Sequence, residues 1–265
     1  MIKDIILHLE RDPSRDAVCD FSVSIAEAFE AHLMGVIFAF VPNMPADALG
    51  DLFVESEVEA RDTINRFELA MKRDDLSGES QLVLGTPKTF SEMARCFDLS
   101  VIMQSDHDNG VDNSILIEAA LFDSGRPLIV VPCTQKDGLK LDRVVCCWDG
   151  SRTAARAIND ALPLLRKANA VEIFVVENEK TANEQILRGT EIGQHLARHN
   201  IKVEVKTTLA ADSDVANAIL SHVADGSASL LVMGGYGHSR LREFVFGGAT
   251  RGILSAMTVP VFMSR

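Results

Sequence analysis

The same run of elements is written twice along the 265 residues. Lys3-Asp-Ile-Ile-Leu-His-Leu9 and Leu141-Asp-Arg-Val-Val-Cys-Cys147 are similar strand openings. Each precedes an Ala-rich amphipathic stretch, residues 15–30 and 152–167, and then an apolar run, residues 33–40 and 171–176. Further on, residues 99–103 are echoed by 230–233, and 126–132 by 259–263. A repeat of this length implies two copies of one supersecondary series. Short apolar runs alternating with helical stretches predict parallel strands joined by helical crossovers, with helices on both faces. Right-handed crossovers make each copy an open, doubly wound α/β sheet. The polar stretch 133–140, containing Gln135-Lys-Asp-Gly138, reads as an exposed connector. Domains are therefore expected at residues 1–134 and 141–265.

Composition narrows what such a chain does. With 47% apolar and 24% charged residues it is globular. No apolar run approaches the roughly 18–20 residues that cross a bilayer. A net charge of −12 and a pI near 5.0 argue against nucleic acid and against an anionic membrane surface as partners. Five cysteines cannot all pair, and Cys146 and Cys147 face opposite ways on a strand, so reduced thiols are expected. The start, Met1-Ile-Lys-Asp, lacks a signal-peptide layout, so the cytoplasm is the expected compartment.

The most informative stretch is Leu230-Leu-Val-Met-Gly-Gly-Tyr-Gly-His-Ser-Arg-Leu-Arg-Glu-Phe-Val-Phe-Gly-Gly-Ala-Thr250. It reads as buried strand, glycine turn, basic connector, second glycine turn and helix N-terminus. Glycine lets backbone N–H groups approach a ligand closely. A helix N-terminus adds unpaired donors and a partial positive charge. Arg240, Arg242 and Arg251 against the single acid Glu243 give a local positive excess in an acidic chain. Asp149, in Val144-Val-Cys-Cys-Trp-Asp149-Gly-Ser151, ends the first strand of the same half. In an open α/β sheet, ligands bind beyond the carboxyl ends of the strands where strand order reverses. The same glycines also suit plain turns, and either Asp149 or Ser151 could cap the helix that follows.

The spacing Gly234-x-x-Gly237, nine residues, Gly247, together with Asp149, resembles the nucleotide-binding pattern of the universal stress protein family. The resemblance covers essentially the whole chain and is of the tandem, two-domain kind. It implies two open doubly wound parallel five-stranded sheets of strand order 3-2-1-4-5, Rossmann-like, one per domain. The two fifth strands would associate, closing the halves into an intramolecular pseudo-dimer, with pairing between chains as the alternative and a further homodimer open. The resemblance also implies ATP in the second half, with Mg²⁺ as an optional bridge between phosphates. Asp149 would hold the ribose and the Val176 backbone would read the adenine edge. Gly234 would touch the ribose, while Gly237, Gly247, Gly248 and Thr250 would cradle the phosphates. The family's Ser or Thr is replaced by Gly248, which removes one hydroxyl donor, and Thr250 is the candidate substitute.

The first half has lost the pattern. Leu9-Glu10-Arg11 stands at the Asp position, and Asp106, Asp108 and Asp112 crowd the loop after the fourth strand, where they would repel phosphate. This half is expected to be a degenerate copy that binds no nucleotide.

Other constellations carry less. His195 and His199 share a helix face at i, i+4, but no Glu follows His195, so the zinc-protease pattern is missing. Asp106-His107-Asp108 resembles a metal cluster yet sits in a polar loop. Tyr236 could close a pocket or pack its own loop. His238 and Ser239 have no third group to orient them, so nucleophilic catalysis is unsupported. The acids Glu55, Glu57, Glu59 and Asp62 read as a solvated helix face. There is no phosphate-binding Gly-x-x-x-x-Gly-Lys loop and no Gly-x-Gly-x-x-Gly fingerprint after either first strand. The expected activity is binding by a stress sensor or regulator, with at most slow hydrolysis. The alternative is a stress protein that binds no nucleotide and acts through protein contacts.

Overall fold

The computed structural model describes residues 1–12, 17–40, 46–106, 110–177, 182–210, 215–236 and 248–265, with backbone alone at 39–40, 46–56, 59 and 182–188. The chain divides into two compact units, Met1–Leu139 and Lys140–Arg265.

The first unit runs β1 (Asp4–His8), α1 (Ala17–Phe29), β2 (His32–Phe40), α2 (Ala46–Arg73), β3 (Gly78–Gly85), α3 (Pro87–Ala94), β4 (Leu99–Met103), α4 (Ser114–Asp123) and β5 (Leu128–Val131). Its strands lie in the order β3-β2-β1-β4-β5, all parallel. The second unit runs β6 (Arg143–Cys147), α5 (Arg152–Asp160), α6 (Leu162–Leu165), β7 (Ala170–Glu177), α7 (Ala182–Arg198), β8 (Val203–Leu209), α8 (Val215–Asp225), β9 (Leu230–Gly234), α9 (Gly248–Ala256) and β10 (Val261–Ser264). Its order is β8-β7-β6-β9-β10, again all parallel. Numbered within each unit, both read 3-2-1-4-5, so both reverse direction between the first and fourth strands.

Burial explains the continuous apolar strands. Ile5, Ile6, Leu7, Leu99, Val101 and Ile102 in the first unit are fully buried, as are Val144, Val145, Cys146, Leu230 and Val232 in the second. Helices cover both faces, so neither alternate set of side chains meets water. The prolines Pro127 and Pro260 stand just before the fifth strands, where a missing N–H breaks no ladder bond. Their carbonyls still accept, from Ser100 N–H and Leu231 N–H, each at 3.0 Å.

One helix departs from the sequence pattern. Residues 152–167 form two pieces, α5 and α6, joined at Ala161. Pro163 lies in the first turn of α6, where it removes a donor and favours a new helix start over continuation. All five cysteines are free thiols. No helix among the described residues is long and apolar enough to cross a membrane.

The registers align the two units residue by residue. Ile5 faces Leu99 as Val144 faces Leu230. Glu10 therefore stands where the second unit has Asp149, and Met103 where it has Gly234. Asp4 faces His32 as Arg143 faces Ala170, which places Met34 opposite the role of Glu172.

Candidate functional site

In the second unit β6 ends and the ladder runs one residue further, with Trp148 N–H donating to Phe174 O at 2.9 Å. Asp149 follows and is exposed. One oxygen accepts from Ser151 N–H at 2.9 Å, closing a tight turn over Gly150, whose φ of 76° favours glycine. The helix cap is Ser151, which accepts from Ala154 N–H at 3.1 Å and is 3.0 Å from the Thr153 hydroxyl. The choice between Asp149 and Ser151 is thus decided by the serine. Asp149 keeps its second carboxylate oxygen for solvent or a ligand.

Val176 is two residues past Phe174, and continuing the register sets it beside Asp149. Alternation along a strand sends the N–H and C=O of every second residue to the same side. Phe174 O bonds toward β6, and Glu177 O bonds toward β8 by accepting from Ala210 N–H at 2.9 Å. The Val176 backbone therefore points to the β6 side, beyond the last residue of that ladder. This is an open main-chain edge next to an exposed carboxylate.

Gly234 closes β9 against the start of α5. A Cβ there would fall 2.6 Å from Ala154 N and 2.7 Å from Thr153 Oγ1. Its glycine is required by helix packing, whatever else it touches. Gly235 N–H donates to Ser264 O at 2.8 Å. Tyr236 is half-buried with φ 47°, and its N–H donates to Thr250 Oγ1 at 3.4 Å. Thr250 is buried, so its hydroxyl faces that turn, and what it offers an anion is its main-chain N–H in the first turn of α9. Gly248 opens α9, is exposed, and has no atom within 4 Å of where a Cβ would be. The strand ends and turns thus bring Asp149, Val176, Gly234, Gly248 and Thr250 to one edge of the sheet. Gly237 and Gly247 lie outside the described residues, as do His238, Ser239, Arg240, Arg242 and Glu243.

The same edge of the first unit is closed by its own side chains. Asn113 Nδ2 donates to Glu10 Oε1 at 2.8 Å and to Met103 O at 3.1 Å. His8 Nδ1 lies 3.3 Å from the same Glu10 oxygen. At the start of α4 the Asp112 carboxylate accepts from Ser114 N–H at 3.0 Å and from the Ser114 hydroxyl. Asn113 N–H donates to Ser105 Oγ at 2.9 Å, and Asp106 bridges Val111. A carboxylate already occupies the N-terminus of α4, the place where an incoming anion would bind.

A cluster at the opposite edge of the second unit was not singled out by sequence. Glu172 is buried in the middle of β7, and its carboxylate meets Arg143 Nη2, His222 Nε2 and, at 3.3 Å, Lys206 Nζ. The His222 ring stacks on Phe174 with centroids 3.8 Å apart. Burial would raise the carboxyl, but the hydrogen bonds from Arg143 and His222 outweigh it and hold Glu172 below the usual carboxylate range. An acid inside the otherwise apolar run of residues 171–176 was the available signal. Nearby, burial first, then the Asp149 and Glu172 carboxylates, push the Cys147 thiol up to about 12, so it is inert at neutral pH.

The remaining sequence candidates stay separate. The His195 and His199 rings meet edge-on at 4.8 Å, and no group of three metal-ligating side chains occurs among the described residues. Glu57 and Asp62 are exposed. His107 and Asp108, like the side chains of Glu55 and Glu59, lie outside the description.

Comparison with known proteins adds the lineage. Residues 140–265 match the sequence profile of the universal stress protein family. A universal stress protein of Synechocystis is 24% identical over 141 residues, 53% of this chain and 47% of the relative, so the chain spans about half the length of the curated relative it matches. The solved universal stress protein of Archaeoglobus fulgidus superposes with a TM-score of 0.77 at 17% identity, covering 99% of this chain and 98% of that one. A structure from Pseudomonas aeruginosa described as a putative universal stress protein gives 0.66 at 13% identity, over 99% and 93% of the chains. The second unit is thus similar to the universal stress protein family, and the α/β fold of both units is that of the solved structures.

Proposed function

We propose that the second unit binds an adenine nucleotide, ATP with or without Mg²⁺, and that the protein acts as a sensor or regulator. The observation that carries this reading is the contrast at the N-termini of α9 and α4. In the second unit that helix begins at exposed Gly248, and among the described residues no side chain stands in front of it. In the first it begins under the Asp112 carboxylate. An open N-terminus offers unpaired N–H groups and positive potential to a phosphate. Asp149 is set to accept from ribose hydroxyls, and the Val176 backbone edge offers one donor and one acceptor to a base. No described general base stands beside the site, so hydrolysis would be slow.

A second reading has the chain act through protein contacts without nucleotide. Gly248 favours it, since that residue brings no hydroxyl to a phosphate. Native mass spectrometry of the purified protein and calorimetric titration with ATP and Mg²⁺ separate the two. Retained nucleotide, or a heat signal that weakens about tenfold or more in Asp149→Asn through loss of a charged hydrogen bond, supports binding here. No retained nucleotide and no heat supports the second reading.

A further inference from the structure

The outer strand of the second unit is self-complementary, and we infer that β8 pairs antiparallel with β8 of a second copy of this chain. β8 ends the sheet order, so one side of its backbone has no strand partner among the described residues. Ala210 N–H bonds inward to Glu177 O, and alternation then turns the N–H and C=O of Val203, Val205, Thr207 and Leu209 outward. An unpaired edge of this kind is a template for another strand.

The side chains set both partner and register. With a two-fold axis through Val205, residue 204 of one copy faces 206 of the other, and 203 faces 207. The outward-turned residues 203, 205 and 207 become the hydrogen-bonded pairs. Glu204 and Lys206 fall at the non-hydrogen-bonded positions, where opposed side chains are closest. Glu204 then meets the second copy's Lys206, and the symmetry repeats the contact. Within one copy Lys206 Nζ is 3.7 Å from Glu204 Oε2, and 3.3 Å from Glu172 Oε2. The ammonium therefore already lies among carboxylates on that face. On the other face Val205 would stack on its counterpart. Val205 and Leu209 are two of the large apolar side chains that are exposed, at 37% and 67%. The outer strand of the first unit, β3, lacks this pattern: Gly78-Glu-Ser-Gln-Leu-Val-Leu-Gly85 has an acid and no base, so self-pairing there gives no charge pair.

Sedimentation analysis of the full chain over a roughly hundredfold concentration range tests the inference. The unmodified protein should show a reversible two-copy species that weakens as salt is raised, since the charge pairs are exposed. Thr207→Pro removes an outward N–H and leaves the β7 pairing intact, so it should abolish the species. Glu204→Lys sets like charges opposite one another and should raise the dissociation constant about tenfold or more. Both changes are at exposed positions, and unaltered circular dichroism and thermal melting will show that the fold persists. A chain that stays monomeric, a two-copy species that survives both variants, or association only with a different protein through this strand each overturns the inference.

Discussion

At the carboxyl end of the first strand one unit has Glu10 and the other Asp149, both carboxylates, yet only one is available. Glu10 is held by Asn113, which also bonds Met103 O, and Asp112 occupies the start of α4. Asp149 spends one oxygen on the Ser151 turn, and no described residue covers the start of α9 at Gly248. The same fold therefore presents one crevice filled by its own side chains and one that the described residues leave uncovered. What separates them is whether local side chains already satisfy the helix N-terminus, since such a terminus accepts one anion at a time. The opposite edges differ too. Met34 stands where Glu172 sits, so the charge cluster of the second unit has no carboxylate at the corresponding place in the first.

The largest effect should come from that cluster. Glu172→Gln removes the buried anion that partly exposed Arg143, His222 and Lys206 share and should remove about 1.5–3 kcal/mol of stability in urea denaturation. The change Met34→Leu at the corresponding place should cost less than about 1.5 kcal/mol. If both cost the same, the cluster is not what distinguishes the units. The pH dependence has a definite sign. Because the folded carboxyl lies below its unfolded value of roughly 4.3, its contribution is present above that pH and is lost as pH falls through the folded value. Stability of the unmodified chain should fall from pH 5 downward more steeply than that of Glu172→Gln.

Next comes the filled crevice. Asn113→Ala strips partners from Glu10 and Met103 O and should cost about 1–3 kcal/mol. It should create no nucleotide site in the first unit, because Asp112 remains at the helix start. A gain of ATP binding in that unit would break the comparison. Gly234→Ala should cost about 1–3 kcal/mol by overpacking, since the added carbon meets Ala154 N and Thr153. Its counterpart Met103 carries a full side chain, so the restriction belongs to the second unit alone.

The smallest effect sharpens the open site. Gly248→Ser has room for its side chain and should leave the melting temperature nearly unchanged. One added hydroxyl donor is worth about 0.5–1.5 kcal/mol, so ATP affinity should rise up to about tenfold. An unchanged affinity would mean that α9 does not face the phosphates.

Much of the fold was legible because the signals are local. Continuous apolar runs identify strands buried on both faces, and the repeat of residues 3–9 in 141–147 identifies two units. The break at Ala161 was missed because the Ala-rich periodicity of residues 152–167 was read through Pro163, which instead starts a new helix. Asp149, Val176, Gly234 and Gly248 were picked from a resemblance, and they do fall on one edge of one sheet. Glu10 was read as a lost aspartate. That it is a carboxylate at the same register position, silenced by a residue 103 positions away, is not visible locally. Glu172 was overlooked because its partners Arg143, Lys206 and His222 come from three other elements.

The amino-acid order alone determined the two-unit organisation, the parallel doubly wound sheets and the glycine-rich turn beyond β9, because hydrophobic period and backbone freedom are properties of neighbouring residues. Only the tertiary structure decided which polar groups are already spent. Hydrogen-bond satisfaction is a relation between residues distant along the chain, and it is the register of β1 with β4, and of β6 with β9, that brings those residues together.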